Sequence, residues 1–223
     1  LLHWGNTPQT LAKVMSSFHT RQGGAGDVEA TYLICLKTGD HGADGTDLYV
    51  EDPDALGRIF VGPYLFFEPE LSLILEDDQG VCGYALAALD SKSFYQRYEE
   101  SWRPRLCEEH PMPEGDPATW SPSQTVHSWY HEPDYHCPEP YAHYPSHMHI
   151  DFLARARGHG YGRRMMEVLM ERLKSLGSPG VHLGVSIRNV TAMGFYRRLG
   201  FEELERVGGP VDGCVYFGKS LAS

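Results

Sequence analysis

Hydrophobic spacing divides the chain into segments of two periods. Residues 1–16 form a polar lead with a short amphipathic stretch around Leu11 to Met15, expected to be an arm or linker ahead of the folded body at 17–223. Ser17 to Gln22 has the length and pattern of a short strand, ended by Gly23-Gly24-Ala25-Gly26. Asp27 is positioned as the N-cap of a helix from Val28 to about Lys37, which Gly39 stops. A second short helix is expected from Pro53 to Phe60. Leu71 to Glu76 and Val81 to Leu89 flank Asp77-Asp78-Gln79-Gly80 and predict a β-hairpin. A helix of mixed charge follows from Ser91 to about Glu108. His147 to Leu153 returns to strand. Beyond it, Met165, Leu169, Leu173 and Leu176 fall on one face of a helix, with Met166 and Val168 widening that face. Gly177 and Pro179 end it. Val181, Leu183 and Val185 alternate as a strand should; Asn189 to Leu199 is helical; Phe201 to Val207 and Cys214 to Ser220 are the last strands. The order predicts an α/β fold: a mixed central sheet of six to seven strands with flanking helices.

An insertion at about 91–145 interrupts this order before the fourth strand. Its later part, residues 110–145, holds most of the prolines together with Trp120, Trp129, Tyr130, Tyr135, Tyr141 and Tyr144, and with His110, His127, His131, His136 and His143. The prolines argue against long regular elements there. The histidines suggest a metal site, yet zinc sites usually present ligand pairs at short fixed spacing, and His127 with His131 is the one pair spaced by four. An aromatic wall is expected, and no metal.

Composition narrows the function. Lys and Arg number 19 against 30 Asp and Glu, a formal charge of −11, which argues against nucleic acid or an anionic membrane as partner. Cys35, Cys82, Cys107, Cys137 and Cys214 are an odd, scattered set without a CxxC pair, as expected of reduced thiols in a cytoplasmic (intracellular) protein. No stretch approaches the roughly 18 apolar residues that span a bilayer. The first residue is Leu1, which leaves open that the chain is a piece of something longer.

Arg157-Gly158-His159-Gly160-Tyr161-Gly162 lies between the fourth strand and the helix that follows it. Strand, glycine turn and helix together aim backbone N–H groups and a helix dipole at one point, which suits a phosphate or pyrophosphate. The turn is not a Walker A loop, because no Gly-Lys-Ser/Thr follows, and its glycines do not keep the G-x-G-x-x-G spacing of a dinucleotide fingerprint.

Arg157, Gly160 and Gly162 do fit Arg-x-x-Gly-x-Gly, which resembles the pyrophosphate-binding motif of the GNAT superfamily of acetyl-CoA-dependent N-acetyltransferases. The segment from Asn189 to Phe201 is similar to that family's N-x-x-A-x-x-F-Y-x-x-x-G-F, and the resemblance covers about residues 17–220. His149-Ile150-Asp151, the Arg-Met-Met helix start, Gly-Ser-Pro-Gly before the fifth strand and the Gly-Lys-Ser-Leu ending also resemble the acetyltransferase-like C-terminal domain of O-GlcNAcase and its bacterial relatives. In the animal enzymes that domain is regarded as a pseudo-acetyltransferase with an altered coenzyme loop; here the loop is intact.

The resemblance implies the following roles. Backbone N–H groups from Gly158 through His159, Gly160 and Tyr161 to Gly162 hold the pyrophosphate of acetyl-CoA, with Arg157 and Arg163 adding charge. The pantetheine arm runs beside Phe152 and Leu153, where a backbone N–H polarises the thioester carbonyl. Tyr196 protonates the leaving thiolate. Asn189 positions the coenzyme or caps its helix. Asp151 is the first candidate for base or amine anchor, sharing a strand face with His147, His149 and Leu153; a water chain is the alternative. Asp40, His41 and Asp44, on the glycine-rich loop 39–45, and His149 are candidate acceptor-binding residues, or parts of a solvated face. The acceptor is expected to be a small-molecule or peptide amine. Two functions follow from the resemblance: direct acetyl transfer to a primary amine, or a catalytically inactive module that binds the coenzyme or a protein.

Overall fold

The computed structural model describes residues 17–139 and 141–222. The predicted lead at 1–16 lies outside them. In chain order the main elements are β1 (His19–Gln22), α1 (Val28–Lys37), α2 (Ala55–Phe60), α3 (Gly62–Phe67), β2 (Ser72–Asp77), β3 (Gly80–Ala88), α4 (Ser91–Arg97), α5 (Arg103–Glu109), α6 (Pro122–His131), β4 (Ser146–Phe152), α7 (Tyr161–Ser175), β5 (Gly180–Ser186), α8 (Val190–Arg198), β6 (Glu202–Val207) and β7 (Cys214–Ser220). The strands form a seven-stranded mixed sheet in the order β1-β2-β3-β4-β5-β7-β6. Every neighbouring pair is antiparallel except β4 and β5.

Each face of the sheet buries its own core, because β3 alternates its side chains between the two. Ala85 and Ala87 join Met165, Met166, Leu169 and Leu173 of α7 and Met193 and Tyr196 of α8. Tyr84, Leu86 and Ala88 face Ile34, Cys35 and Leu36 of α1, Leu56 of α2 and Tyr130 of α6. The small alanines on the first face let α7 lie close to the strand.

Several expectations need correction. Asp27 makes no side-chain cap on α1. Its carboxylate instead accepts from the Gly24 N–H at 3.0 Å and pairs with Arg21 at 2.5 Å, fastening β1 to the start of α1. Helix α3 follows the expected Pro53–Phe60 helix as a separate element that was not predicted; Pro63 stands in its first turn, where proline loses no hydrogen bond. The same rule explains α6 inside the proline-rich insertion. Pro122 stands in its first turn, and Ser121 with Gln124 forms a capping box, Ser121 N–H to Gln124 Oε1 at 2.9 Å and Gln124 N–H to Ser121 Oγ at 3.2 Å. The aromatics of the insertion also pack outward from it: Tyr130 donates to the Ala55 carbonyl at 2.8 Å and Trp102 to that of Arg58 at 2.9 Å. Leu176, counted on the buried face of α7, is 56% exposed, because the helix ends at Ser175.

Candidate active site

β4 and β5 stay paired only at Ser146↔Val181 and His147↔His182, and then diverge. The rest of β4 is held on its other side by β3, with Phe152 opposite Gly83 and Asp151 opposite Tyr84. Just past the strand, the Leu153 N–H donates to the Cys82 carbonyl at 2.9 Å. In an antiparallel ladder the bonded positions alternate. The odd-numbered residues 149 and 151 therefore bond toward β3, and the N–H groups of Ile150 and Phe152 face the gap left by β5. The Leu153 N–H, at the end of the strand where backbone was expected to face a ligand, is therefore committed to β3; the N–H groups that face the gap are those of Ile150 and Phe152.

The glycine turn closes one end of this gap. Gly158 and Gly160 have φ of +82° and +81°, which side-chain-bearing residues adopt at a cost, and Gly160 is the N-cap of α7. Gly162 has no positive φ, and a Cβ there would make ordinary contact, 3.4 Å, with the rings of both Phe152 and Phe195. Among the described residues, the amides of positions 158–163 donate to no acceptor. The side chains of the turn are occupied within the chain. His159 and Tyr161 pack on Phe18 with ring centroids 5.0 and 5.2 Å away, and the Tyr161 hydroxyl donates to the Phe18 carbonyl at 3.2 Å. Arg163 pairs with Glu167 at 2.8 Å. Arg157 donates to the Phe152 carbonyl at 2.9 Å and to that of Gly42 at 3.0 Å. The turn thus offers a ligand its amides more than its guanidinium groups. A row of orphaned N–H groups at the head of a fifteen-residue helix, leading into a gap edged by free strand amides, fits a pyrophosphate joined to an amide-bearing arm.

Tyr196 of α8 is 7% exposed and packs among Phe195, Phe201 and Phe217. Its hydroxyl has no hydrogen-bond partner among the described residues and is not sealed from solvent. Burial, and then the Asp151 charge, push this phenol well above its ordinary value, so it stays protonated. Asn189 caps α8, its Oδ1 accepting from the Ala192 N–H at 3.0 Å.

On the opposite face of β4, Asp151 Oδ2 accepts from the Tyr84 hydroxyl at 2.7 Å. His149 Nε2 lies 3.0 Å from the same oxygen, off the line of a hydrogen bond. The His149 ring is stacked between Phe60 and Tyr84, each with its centroid 5.8 Å away. Cys35 of α1 sits behind Tyr84, and burial, followed by the Asp151 charge, raises its thiol well above the usual range. His147, expected on this face too, is buried: it hydrogen-bonds Ser91 Oγ at 2.7 Å and stacks on Tyr95. Burial and the neighbouring histidines hold it far below the ordinary imidazole value.

The 39–45 loop reaches across the mouth of the gap. His41 Nδ1 is 2.7 Å from Ser186 Oγ, and its Nε2 accepts from Arg188 at 2.9 Å. Gly42 lies so close to Asn189 that a Cβ would be 2.7 Å from its Nδ2. His41 has φ of +50°, alone among the described non-glycine residues. Asp40 stays at the edge of this group, 3.8 Å from the His41 ring. Asp44 does not join it; Lys37 at 2.9 Å and the Thr46 hydroxyl and amide take its carboxylate.

The histidines of the insertion go separate ways. His131 binds the His110 carbonyl at 2.9 Å and His136 pairs with Glu205 at 2.6 Å. His127 does not face His131 as a pair; it meets Asp52 at 2.8 Å, with His110 at 3.8 Å. Their ligand atoms lie within 4.8 Å of one another, but Arg58 at 2.6 Å from the same Asp52 oxygen already supplies the cation.

Against known proteins, the profile described as the Acetyltransferase (GNAT) family matches residues 43–201. The crystal structure of SsHAT is similar over 93% of this chain and 100% of its own, with 36% identity and a TM-score of 0.82. A phosphinothricin acetyltransferase from Sinorhizobium meliloti, solved in complex with AcCoA, shares the fold at 16% identity and a TM-score of 0.52, over 92% of this chain and 89% of its own. Protein O-GlcNAcase of Rattus norvegicus is 30% identical over 197 residues, 87% of this chain. The chain spans about a fifth of the length of the curated relatives it matches, 21% in each case.

Proposed function

The chain belongs to the GNAT acetyltransferase family, and from that premise we propose that it transfers acetyl from acetyl-CoA directly to a primary amine. Bound acetyl-CoA supplies the activated thioester; the rest falls to residues of the chain. Amides 158–163 hold the pyrophosphate. The free N–H groups of Ile150 and Phe152 align the arm as an extra strand beside β4, and one of them polarises the thioester carbonyl. Losing such a donor typically lowers the rate by about 100- to 1000-fold. Tyr196 donates to the departing sulfur. Its raised pKa makes it a lasting hydrogen-bond donor, and solvent completes the protonation. Asp151, fixed by Tyr84, faces the amine from the other side.

The observation that supports this reading is the gap beside β4, where strand amides left without a neighbouring strand lead to the partnerless amides at the head of α7. Its test is release of free CoA thiol from acetyl-CoA, scored over a broad panel of amines. Amine-dependent release that Tyr196→Phe depresses supports it.

The second reading, a coenzyme- or protein-binding module without turnover, is favoured by one specific feature. Arg157 is tied to Gly42, and the 39–45 loop spans the cleft mouth. Tight acetyl-CoA binding with no release from any amine supports that reading instead. The small-molecule or peptide nature of the acceptor, and any link to the activity of full-length O-GlcNAcases, belong to the same proposal.

A further inference from the structure

The arginine of the glycine turn is engaged by backbone on two sides. Its Nε donates to the Phe152 carbonyl at 2.9 Å and its Nη2 to the Gly42 carbonyl at 3.0 Å. We propose that Arg157 is a positioning residue, a strut that joins the coenzyme turn to the 39–45 loop and makes that loop a bridge across the gap, rather than a counter-ion of the pyrophosphate. The inference rests on the coenzyme-binding part of the reading above and goes beyond it to the loop.

The loop is built to act as one piece. Its Gly42 N–H donates to the Thr38 carbonyl at 2.9 Å, and Asp40 and Ala43 exchange two bonds of 3.1 and 2.8 Å. The Gly45 N–H returns to the Leu36 carbonyl at 3.0 Å, which fastens the loop to the end of α1. A tie made at one residue is therefore carried to the others.

The ties reach both lips of the gap. On the β4 side stands Arg157. On the β5 side, His41 Nδ1 is 2.7 Å from Oγ of Ser186, the last residue of the strand, and its Nε2 accepts from Arg188 at 2.9 Å. Gly42 lies against Asn189, so close that a Cβ would come within 2.7 Å of its Nδ2. His41 holds φ of +50° to make these contacts, a conformation that persists in a non-glycine residue where its surroundings impose it. β4 and β5 share only the register pairs Ser146↔Val181 and His147↔His182. No ladder therefore sets the separation of Phe152 from Ser186; the loop spans it.

The guanidinium is spent on this task. In a strand, the N–H and C=O of one residue point to the same side, so the Phe152 carbonyl faces the gap together with its N–H. Arg157 covers that carbonyl and leaves the donor for a ligand. The pyrophosphate is served by the amides of residues 158–163 at the head of α7 and by the helix dipole behind them. Cutting the strut should be felt in the loop and in whatever binds beneath it, and much less in the coenzyme.

The test uses Arg157→Gln, Arg157→Lys and His41→Asn, with thermal denaturation confirming that each is folded. Glutamine lacks the charge and lysine keeps it, while neither spans both carbonyls. Asparagine at position 41 cuts the β5 tie and tolerates the left-handed backbone. Hydrogen exchange of residues 36–46, read by mass spectrometry, should quicken about fivefold or more in all three, as expected for one lost hydrogen bond. Acetyl-CoA affinity by calorimetry should stay within about threefold of wild type in all three, and saturating acetyl-CoA should not quicken loop exchange in the wild type. With an amine that the wild type acetylates, KM for the amine should rise about fivefold while KM for acetyl-CoA moves less than about threefold, a split that general destabilisation would not produce. Affinity that falls about tenfold or more in Arg157→Gln and is kept in Arg157→Lys would make Arg157 a counter-ion and overturn the proposal. So would loop exchange at the wild-type rate in the Arg157 variants, or exchange in the wild type that acetyl-CoA accelerates. Wild-type protein that binds no acetyl-CoA would overturn the coenzyme reading itself, and loop exchange without coenzyme would still decide whether the bridge depends on Arg157.

Discussion

Replacing Gly160 and Gly162 by alanine, one at a time, separates two reasons for glycine that spacing alone cannot distinguish. Gly160 has φ of +81° and ψ of −3°, and a Cβ there would meet nothing within 4 Å. The expense of Gly160→Ala is therefore backbone conformation alone, about 1–2 kcal/mol for an L-residue in the left-handed region. If the turn must keep that shape to aim its amides, the whole amount appears in binding, and acetyl-CoA affinity falls by about 5- to 30-fold. Gly162 has no positive φ and lies in the first turn of α7, with 3.4 Å contacts to Phe152 and Phe195 awaiting a Cβ. Alanine there gains helix propensity of up to about 1 kcal/mol against slight crowding, so affinity should stay within about threefold. Calorimetry with acetyl-CoA reads the first effect, and thermal denaturation shows whether either variant has lost the fold. A Gly160→Ala protein that binds normally while Gly162→Ala does not would refute the argument that the turn is shaped by its left-handed glycines.

Three further outcomes are expected. Tyr196→Phe removes a hydroxyl without a hydrogen-bond partner, so stability should change by less than about 1 kcal/mol in urea denaturation, while thiol release falls at least about tenfold; since burial keeps the phenol protonated, wild-type activity should show no alkaline limb from it. Gly83→Ala would drive a Cβ into the Phe152 ring, destabilising the fold by about 1–3 kcal/mol, and Phe152→Leu in the same chain should recover part of that loss. His147 and His182 are held below the ordinary imidazole value, first of all by burial; the unfolded chain then binds more protons than the folded one below about pH 6.5, and stability should fall by up to about 1.4 kcal/mol per pH unit for each. Urea midpoints between pH 7.5 and 5.5 check this, with a shallower slope expected in His147→Gln.

Long-period patterns carried over well from sequence to structure, while contacts between distant segments did not. The α7 stripe of Met165, Leu169 and Leu173, the alternation in β5 and the Asn189 cap could be read because each depends on neighbours within one element. The Arg157–Gly162 spacing gave the site of the turn, yet not that Arg157 is bound to Gly42, 115 residues away. Tyr84 could not be paired with Asp151 from sequence, since the insertion separates β3 from β4 and nothing local sets their register. That the Ile150 N–H faces the gap could not be read from sequence either, because its direction depends on the same register. The division of Asp52 between Arg58 and His127 also needs three segments to meet. The prolines of residues 110–145 argued against long regular elements, yet Pro122 occupies a first helical turn, where proline permits the ten-residue helix α6.

The central claim, that the splayed strands and the glycine turn together form one acetyl-CoA site, is tested most directly by titrating acetyl-CoA into 15N-labelled protein. The account predicts that the backbone N–H resonances of Ile150, Phe152 and residues 158–163 move together and saturate at one concentration. Shifts confined to another surface, such as the pocket lined by Tyr95, Tyr135 and Tyr141, with those amides unmoved, would contradict it.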